Sequence, residues 1–201
     1  MLHGHFRKRS VTAAVRRILP FALVCLVPVF ALGQGKASGN AGQYSGWRAR
    51  LNQELPLMGH RNWIAVVDSA YPLQTSAGIE TVETNDDQLE VVKMVLGQIA
   101  KTQHVRPVIF TDAELKVVPE SDAKGVTAYR DALATVLGKN EAQSLPHEEI
   151  IAKLDEAGKT FHILVLKTRM TIPYTSVFIR LECGYWSADA EKRLREAMAG
   201  H

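Results

Sequence analysis

The chain has 201 residues, 46% of them hydrophobic and 22% charged, a balance that supports one domain with a packed core and leaves little room for a second. Its formal charge of +3 is not spread evenly: Arg7, Lys8, Arg9, Arg16 and Arg17 precede residue 34, no acidic residue does, and the remainder carries 19 basic against 21 acidic residues. That slightly acidic remainder argues against a nucleic-acid binder, and no internal repeat points to a solenoid.

In chain order, the basic head leads into residues 18–32, an apolar run interrupted only by Pro20 and Pro28. Ala31 and Gly33 then place small residues at the −3 and −1 positions of a cut before Gln34. This is the build of a secretory signal peptide, and the run is short for a membrane span. Residues 1–33 are therefore expected to be removed and the protein exported, to a periplasm or outside the cell. The alternative is an uncleaved N-terminal anchor, which would be its one membrane contact. The Gly/Ser/Ala/Gln-rich residues 34–43 read as a flexible linker to a folded domain over residues 44–201. Cys25 leaves with the apolar run, so Cys183 has no intrachain partner and reads as a packed core residue.

Within the domain, Trp47, Leu51 and Leu55 mark a helix over residues 44–57. Residues 63–67, Trp-Ile-Ala-Val-Val, form a continuous apolar run ending at Asp68, the pattern of a buried strand. A loop with Tyr71-Pro72 follows, then a short strand over residues 79–84. Asn85 or Asp86 is placed to cap a helix whose apolar stripe is Leu89, Val92, Val95, Leu96 and Ile99. Residues 107–110 make a second buried strand next to another acid, Asp112. Helices are expected over 123–137, closed by Gly138, and over 146–157. Strands follow over 161–166 and 174–181, and Ser187 caps a charged, surface-lying helix to residue 199. Helices alternating with short apolar strands predict an α/β domain of three layers, a mostly parallel sheet covered by helices on both faces. In such sheets ligands bind beyond the carboxyl ends of the strands, which is where Asp68 falls.

The commonest catalytic signatures are missing: no GxGxxG or GxxxxGK[ST] phosphate loop and no GxSxG elbow. His147-Glu148-Glu149 lacks the second histidine of a zinc helix, since residue 151 is Ile151. What remains is Gly59-His60, an apolar strand, and Asp68-Ser69-Ala70-Tyr71-Pro72. A strand between them, rising about 3.3 Å per residue, holds His60 and Asp68 some 20 Å apart. They can act on one small molecule only if the loop folds back or a neighbouring subunit supplies one of them.

That block resembles the signature near the start of the ribose pyranase / fucose mutarotase (RbsD/FucU) family. Pro173-Tyr174-Thr175-Ser176-Val177-Phe178-Ile179 is similar to a second block of that family, and His147-Glu148-Glu149 to a third; the three occur in the family's order. The resemblance implies a three-layer α/β domain, ring-like homo-oligomers with sites between subunits, and interconversion of monosaccharide anomers or ring forms. It implies His60 as proton donor, Asp68 as ligand of sugar hydroxyls, His147 as a further sugar contact, and Tyr174, Thr175 and Ser176 as a binding triplet on the last strand. Ring opening removes a proton from the anomeric hydroxyl and delivers one to the ring oxygen, work an imidazole does at neutral pH with no cofactor or metal. Departures are Ser176 where the family has Asn, and Arg169-Met170 where it has Gly-Glu. These favour the alternative of a non-catalytic exported carbohydrate-binding protein; a ring-forming structural protein without a ligand is the third possibility.

Overall fold

Both kinds of apolar segment, the helical stripes and the short continuous runs, find their partners in one six-stranded sheet. The computed structural model describes residues 46–200; the expected signal peptide and linker lie outside them. The elements, in order, are α1 (Gly46–Glu54), β1 (Trp63–Val67), β2 (Ile79–Glu83), α2 (Gln88–Ile99), β3 (Val105–Asp112) with a 3₁₀ turn (Ala113–Lys116), α3 (Val126–Leu137), β4 (Ala142–Leu145), α4 (His147–Ala157), β5 (Ile163–Lys167), β6 (Val177–Cys183) and α5 (Ala188–Ala199).

The strand order is β2-β5-β1-β6-β3-β4. Strands β2, β5 and β1 are mutually parallel, β3 is parallel to β4, and β6 runs antiparallel to both of its neighbours. All strands but β6 therefore point the same way, the mostly parallel sheet the sequence predicts. Alternate residues of β1, β5 and β6 feed two separate cores. Ile64, Val66, Leu164, Leu166, Val177 and Ile179 pack with Trp47 and Leu51 of α1 and the stripes of α2 and α3. Ala65, Val67, Ile163, Val165 and Phe178 face the other way, onto Ile150 and Leu154 of α4. Helices thus lie on both faces, as expected of three layers.

Several details differ from the sequence reading. The cap of α2 is Asp87, whose carboxylate accepts the backbone N–H groups of Leu89 and Glu90; Asp86 instead accepts the Trp47 indole N–H at 2.8 Å and pins α1. Strand β3 runs on to Asp112 because β4, a short polar segment that periodicity misses, pairs Thr111 with Ser144 and Asp112 with Leu145. Strand β6 starts at Val177, so Tyr174, Thr175 and Ser176 precede it rather than lying on it. Tyr174 has φ +59°, a left-handed conformation that no strand residue adopts. Cys183 closes β6 half-buried, not inside the core. The terminal α5 buries none of its residues.

One close approach fixes how the β2 edge joins the body. A Cβ on Gly78 would stand 2.4 Å from the Gly158 carbonyl oxygen and 2.7 Å from that of Phe161, both backbone atoms that cannot step aside. Only glycine lets the loop before β2 pass the end of α4, where the Gly78 carbonyl accepts the N–H of Ile163.

Candidate functional site

At the carboxyl ends of β1, β3 and β4 the sheet opens into a cleft of about 460 Å³, lined by Asp68, Tyr71, His147, Ile172 and Tyr174 among others. Because β6 is antiparallel, its first residues arrive at this same end. The register pairs Val177 with Val66 and with Thr111, which brings Ser176 to the ends of β1 and β3, where its hydroxyl meets Asp68. Segments far apart in the chain are thereby brought to one place by strand direction alone.

Each side chain is held by its own local device. The Asp68 carboxylate accepts the N–H of Ala70 at 2.8 Å through one oxygen, closing the turn after β1, while Ser176 Oγ donates to the other at 3.4 Å. That second contact is long, so the oxygen keeps capacity for a ligand donor. His147 opens α4, and its otherwise unpaired backbone N–H donates to both carboxylate oxygens of Glu114, at 3.0 and 3.1 Å. The His147 Nδ1 lies 3.1 Å from Asp112 Oδ1. The imidazole meets the Tyr174 ring edge-on, with centroids 5.7 Å apart at 80°.

The left-handed Tyr174 is kept in place by a buried polar network. Thr175 Oγ1 donates back to the Ile172 carbonyl at 2.8 Å. The Thr175 carbonyl accepts from Tyr129 Oη at 2.7 Å and from Gln88 Nε2. Gln88 Oε1 in turn lies 3.0 Å from Thr168 Oγ1. Gln88, Thr168 and Thr175 are all buried, so α2, α3 and the ends of β5 and β6 converge on the loop that presents Tyr174. A non-glycine residue in this region costs about 1–3 kcal/mol and persists only where surroundings enforce it, a pattern common at ligand sites.

Two polar atoms here lack protein partners: Tyr71 Oη and Asp112 Oδ2. Burial pushes the Tyr71 hydroxyl up to about 12, with the Asp155, Asp112 and Asp68 carboxylates adding to it, so it keeps its proton at neutral pH. Asp112, 1% exposed, is raised above the ordinary carboxylate range by burial first, against the lowering by His147. A buried polar atom without a partner costs about 1–3 kcal/mol.

His60 is elsewhere. It precedes β1 at the amino end of the sheet, half-exposed, with Nδ1 2.8 Å from Glu182, whose carboxylate also binds Arg180 at 2.9 Å. Two concavities of about 600 and 630 Å³ meet at His60, Arg61 and Glu182. They are larger than the carboxyl-end cleft; there Arg180 pairs with Glu182 through one terminal nitrogen, while its Nε has no hydrogen-bond partner among the described residues. Within one chain, then, the structure brings together Asp68, His147, Tyr174 and Ser176, places Thr175 beneath them with its side chain buried, and leaves His60 at the opposite end. Sequence reading noted Asp112 only as an acid beside a strand. It passed over Glu114, Gln88 and Tyr129, which carry no motif, and gave Tyr71 a place in the Asp68–Pro72 block without a role at the site. Among the described residues no group of three or more His, Cys, Asp or Glu side chains is placed to hold a metal ion.

Fold and cleft together define a three-layer α/β protein with a polar, partly unsatisfied cleft at the carboxyl end of its sheet. No family model and no curated protein matches the chain. Among solved structures it is similar to Bacillus subtilis RbsD complexed with D-ribose, at 19% identity over 67% of this chain and 92% of that one, with a TM-score of 0.46. FucU from Bifidobacterium longum is similar at 14% identity over 67% and 94%, TM-score 0.43. The fucose mutarotase of Streptococcus pneumoniae in complex with L-fucose is similar at 17% identity over 66% and 91%, TM-score 0.43.

Proposed function

We propose that the protein is a monosaccharide mutarotase or pyranase-type isomerase, opening and reclosing a sugar ring in the carboxyl-end cleft. The observation that carries this reading is the convergence of Asp68, His147 and Tyr174 on one cleft, with Ser176 against the Asp68 carboxylate. Sugars are held by carboxylates and hydroxyls that divide their donors and acceptors, and an imidazole at the same place supplies acid–base function. Asp68 orients the hydroxyls, Tyr174 offers a ring face and a hydroxyl, and His147 takes the anomeric proton. His60 comes from a neighbouring copy, as the proton donor to the ring oxygen, so the working unit is a homo-oligomer with sites between subunits. Residues 1–33 direct export, so the chemistry takes place in a periplasm or outside the cell; the secreted protein should begin at Gln34, and a chain that keeps Met1 in the membrane fraction contradicts this.

A second reading has its own support. His60 is tied to Glu182 at the far end of β1, and Arg169 lines a separate concavity with Asp87 and Lys124. A protein that binds a sugar in the cleft but never receives His60 from a neighbour is a carbohydrate binder, not an enzyme. NMR exchange spectroscopy of D-ribose and L-fucose separates the two. The enzyme accelerates interconversion of anomers or ring forms, and His60→Ala slows it by about 10²-fold or more with sugar affinity nearly unchanged. Binding without acceleration, in wild type as in the variant, leaves the carbohydrate binder.

A further inference from the structure

The carboxylate behind His147 plays no part in holding the sugar, yet it is buried deeply in the element that ends at the cleft. Asp112 closes β3, is 1% exposed, and makes one side-chain hydrogen bond, to His147 Nδ1 at 3.1 Å; its other oxygen has no partner. Burying a carboxylate this way is costly unless a donor and a function go with it. The imidazole it meets is itself locked: Glu114 holds the backbone N–H of His147, and Tyr174 sits edge-on to the ring. With Nδ1 committed to Asp112, Nε2 is the ring nitrogen left for a molecule in the cleft that His147 lines.

We propose that Asp112 and His147 form a two-step proton relay, in which Asp112 is the positioning residue that receives the Nδ1 proton while His147 Nε2 takes the anomeric proton of the sugar. The inference rests on the sugar-isomerase reading and deepens it by assigning the base. In the resting arrangement Asp112 is ionised and accepts Nδ1–H, so that Nε2 carries a lone pair. When the O1–H proton of the sugar moves to Nε2, the Nδ1 proton moves to Asp112 Oδ1; O1 becomes the carbonyl oxygen as the C1–O5 bond breaks, and O5 takes its proton from the acid on the other side. Closure on either face of the C1 carbonyl reverses every transfer, so the pair ends as it began and no co-reactant is consumed.

Local electrostatics suit this division. Burial raises Asp112, which makes it a better proton acceptor than an ordinary carboxylate. An aspartate fixed far below the imidazole would orient the ring without taking its proton. The groups facing the pair from packed elements are Glu114 of the 3₁₀ turn and Asp68 after β1, which also raise Asp112, with Tyr71 and Tyr129 as neutral neighbours and the Tyr174 ring against His147. No described cation other than His147 itself is recorded against Asp112, so its charge is relieved by this one partner.

The test uses the full-length secreted protein labelled with ¹⁵N and ¹³C. At alkaline pH, neutral His147 is expected as the Nδ1–H tautomer, the minor form of a free imidazole. The Asp112 carboxyl is expected to titrate above ordinary aspartates, and to move higher still in His147→Leu, which removes its only recorded side-chain donor. In the exchange assay Asp112→Asn keeps the shape and an oxygen for Nδ1–H but takes no proton, so kcat falls about 100-fold with KM nearly unchanged. An Nε2–H tautomer in the wild type, an Asp112 titration indifferent to His147→Leu, or an unchanged kcat in Asp112→Asn overturns the relay. Absence of any sugar exchange in the wild type overturns the isomerase reading instead, while tautomer and titration still decide whether the pair shares a proton.

Discussion

Replacing Asp68 by Ala is expected to lower kcat/KM for the sugar by about 10²-fold, mostly through KM, with Asp68→Asn falling between it and wild type. One carboxylate oxygen is spent on the turn, accepting Ala70 N–H at 2.8 Å, and the other meets only a long contact from Ser176 at 3.4 Å. The capacity that remains points at the cleft, and a hydrogen bond to a charged acceptor is worth about 1.5–3 kcal/mol. Asn keeps the turn and a weaker acceptor, so it loses the charge and not the geometry. Exchange rates measured against sugar concentration, with a binding titration alongside, separate the two parameters. Equal kcat/KM in wild type and Asp68→Ala removes the cleft as the sugar site.

The largest stability effect is expected at Phe178. It lies fully buried on β6, opposite Ala65 of β1 and Phe110 of β3, in the core under α4. Phe110 is itself packed on Trp63, with ring centroids 5.4 Å apart, so both aromatic neighbours are fixed on strands that cannot close a void. Phe178→Ala removes the transfer energy and leaves a cavity, about 3–5 kcal/mol together. For a domain of this size that lowers the melting temperature by roughly 10 °C or more. Thermal unfolding followed by circular dichroism reads it; a shift of only a degree or two would mean that the two sheet faces do not pack as described.

What the sequence discloses and what it hides follow from the same physics. Burial on both faces makes residues 63–67 and 163–166 continuous apolar runs, and such runs are legible. Strand β4, Ala-Gln-Ser-Leu at the sheet edge, buries none of its residues and carries neither period, so only its pairing with β3 reveals it. Tyr174 sits before an apolar strand and reads as part of it, because nothing local announces the left-handed turn. That turn is imposed from Gln88 and Tyr129, on helices 86 and 45 residues away in the chain. The same limit applies to Asp112. Its position beside a strand is visible in the sequence, but its bond to His147 depends on a parallel edge strand that aims α4 back at the end of β3. For His60 the sequence argument from strand rise holds: histidine and aspartate stand at opposite ends of β1.

That separation makes one experiment decisive for the proposal of a site between subunits. His60→Ala and Asp68→Ala are each refolded alone and then together in equal amounts, and sugar exchange is measured on the assembled mixture. If His60 of one copy completes the Asp68 cleft of another, both variants alone are slowed about 10²-fold at sugar concentrations well below KM, and the mixture recovers about a quarter of wild-type activity there, because random assembly rebuilds that fraction of intact sites. A mixture that assembles as wild type does and remains as inactive as its components contradicts a site shared between copies.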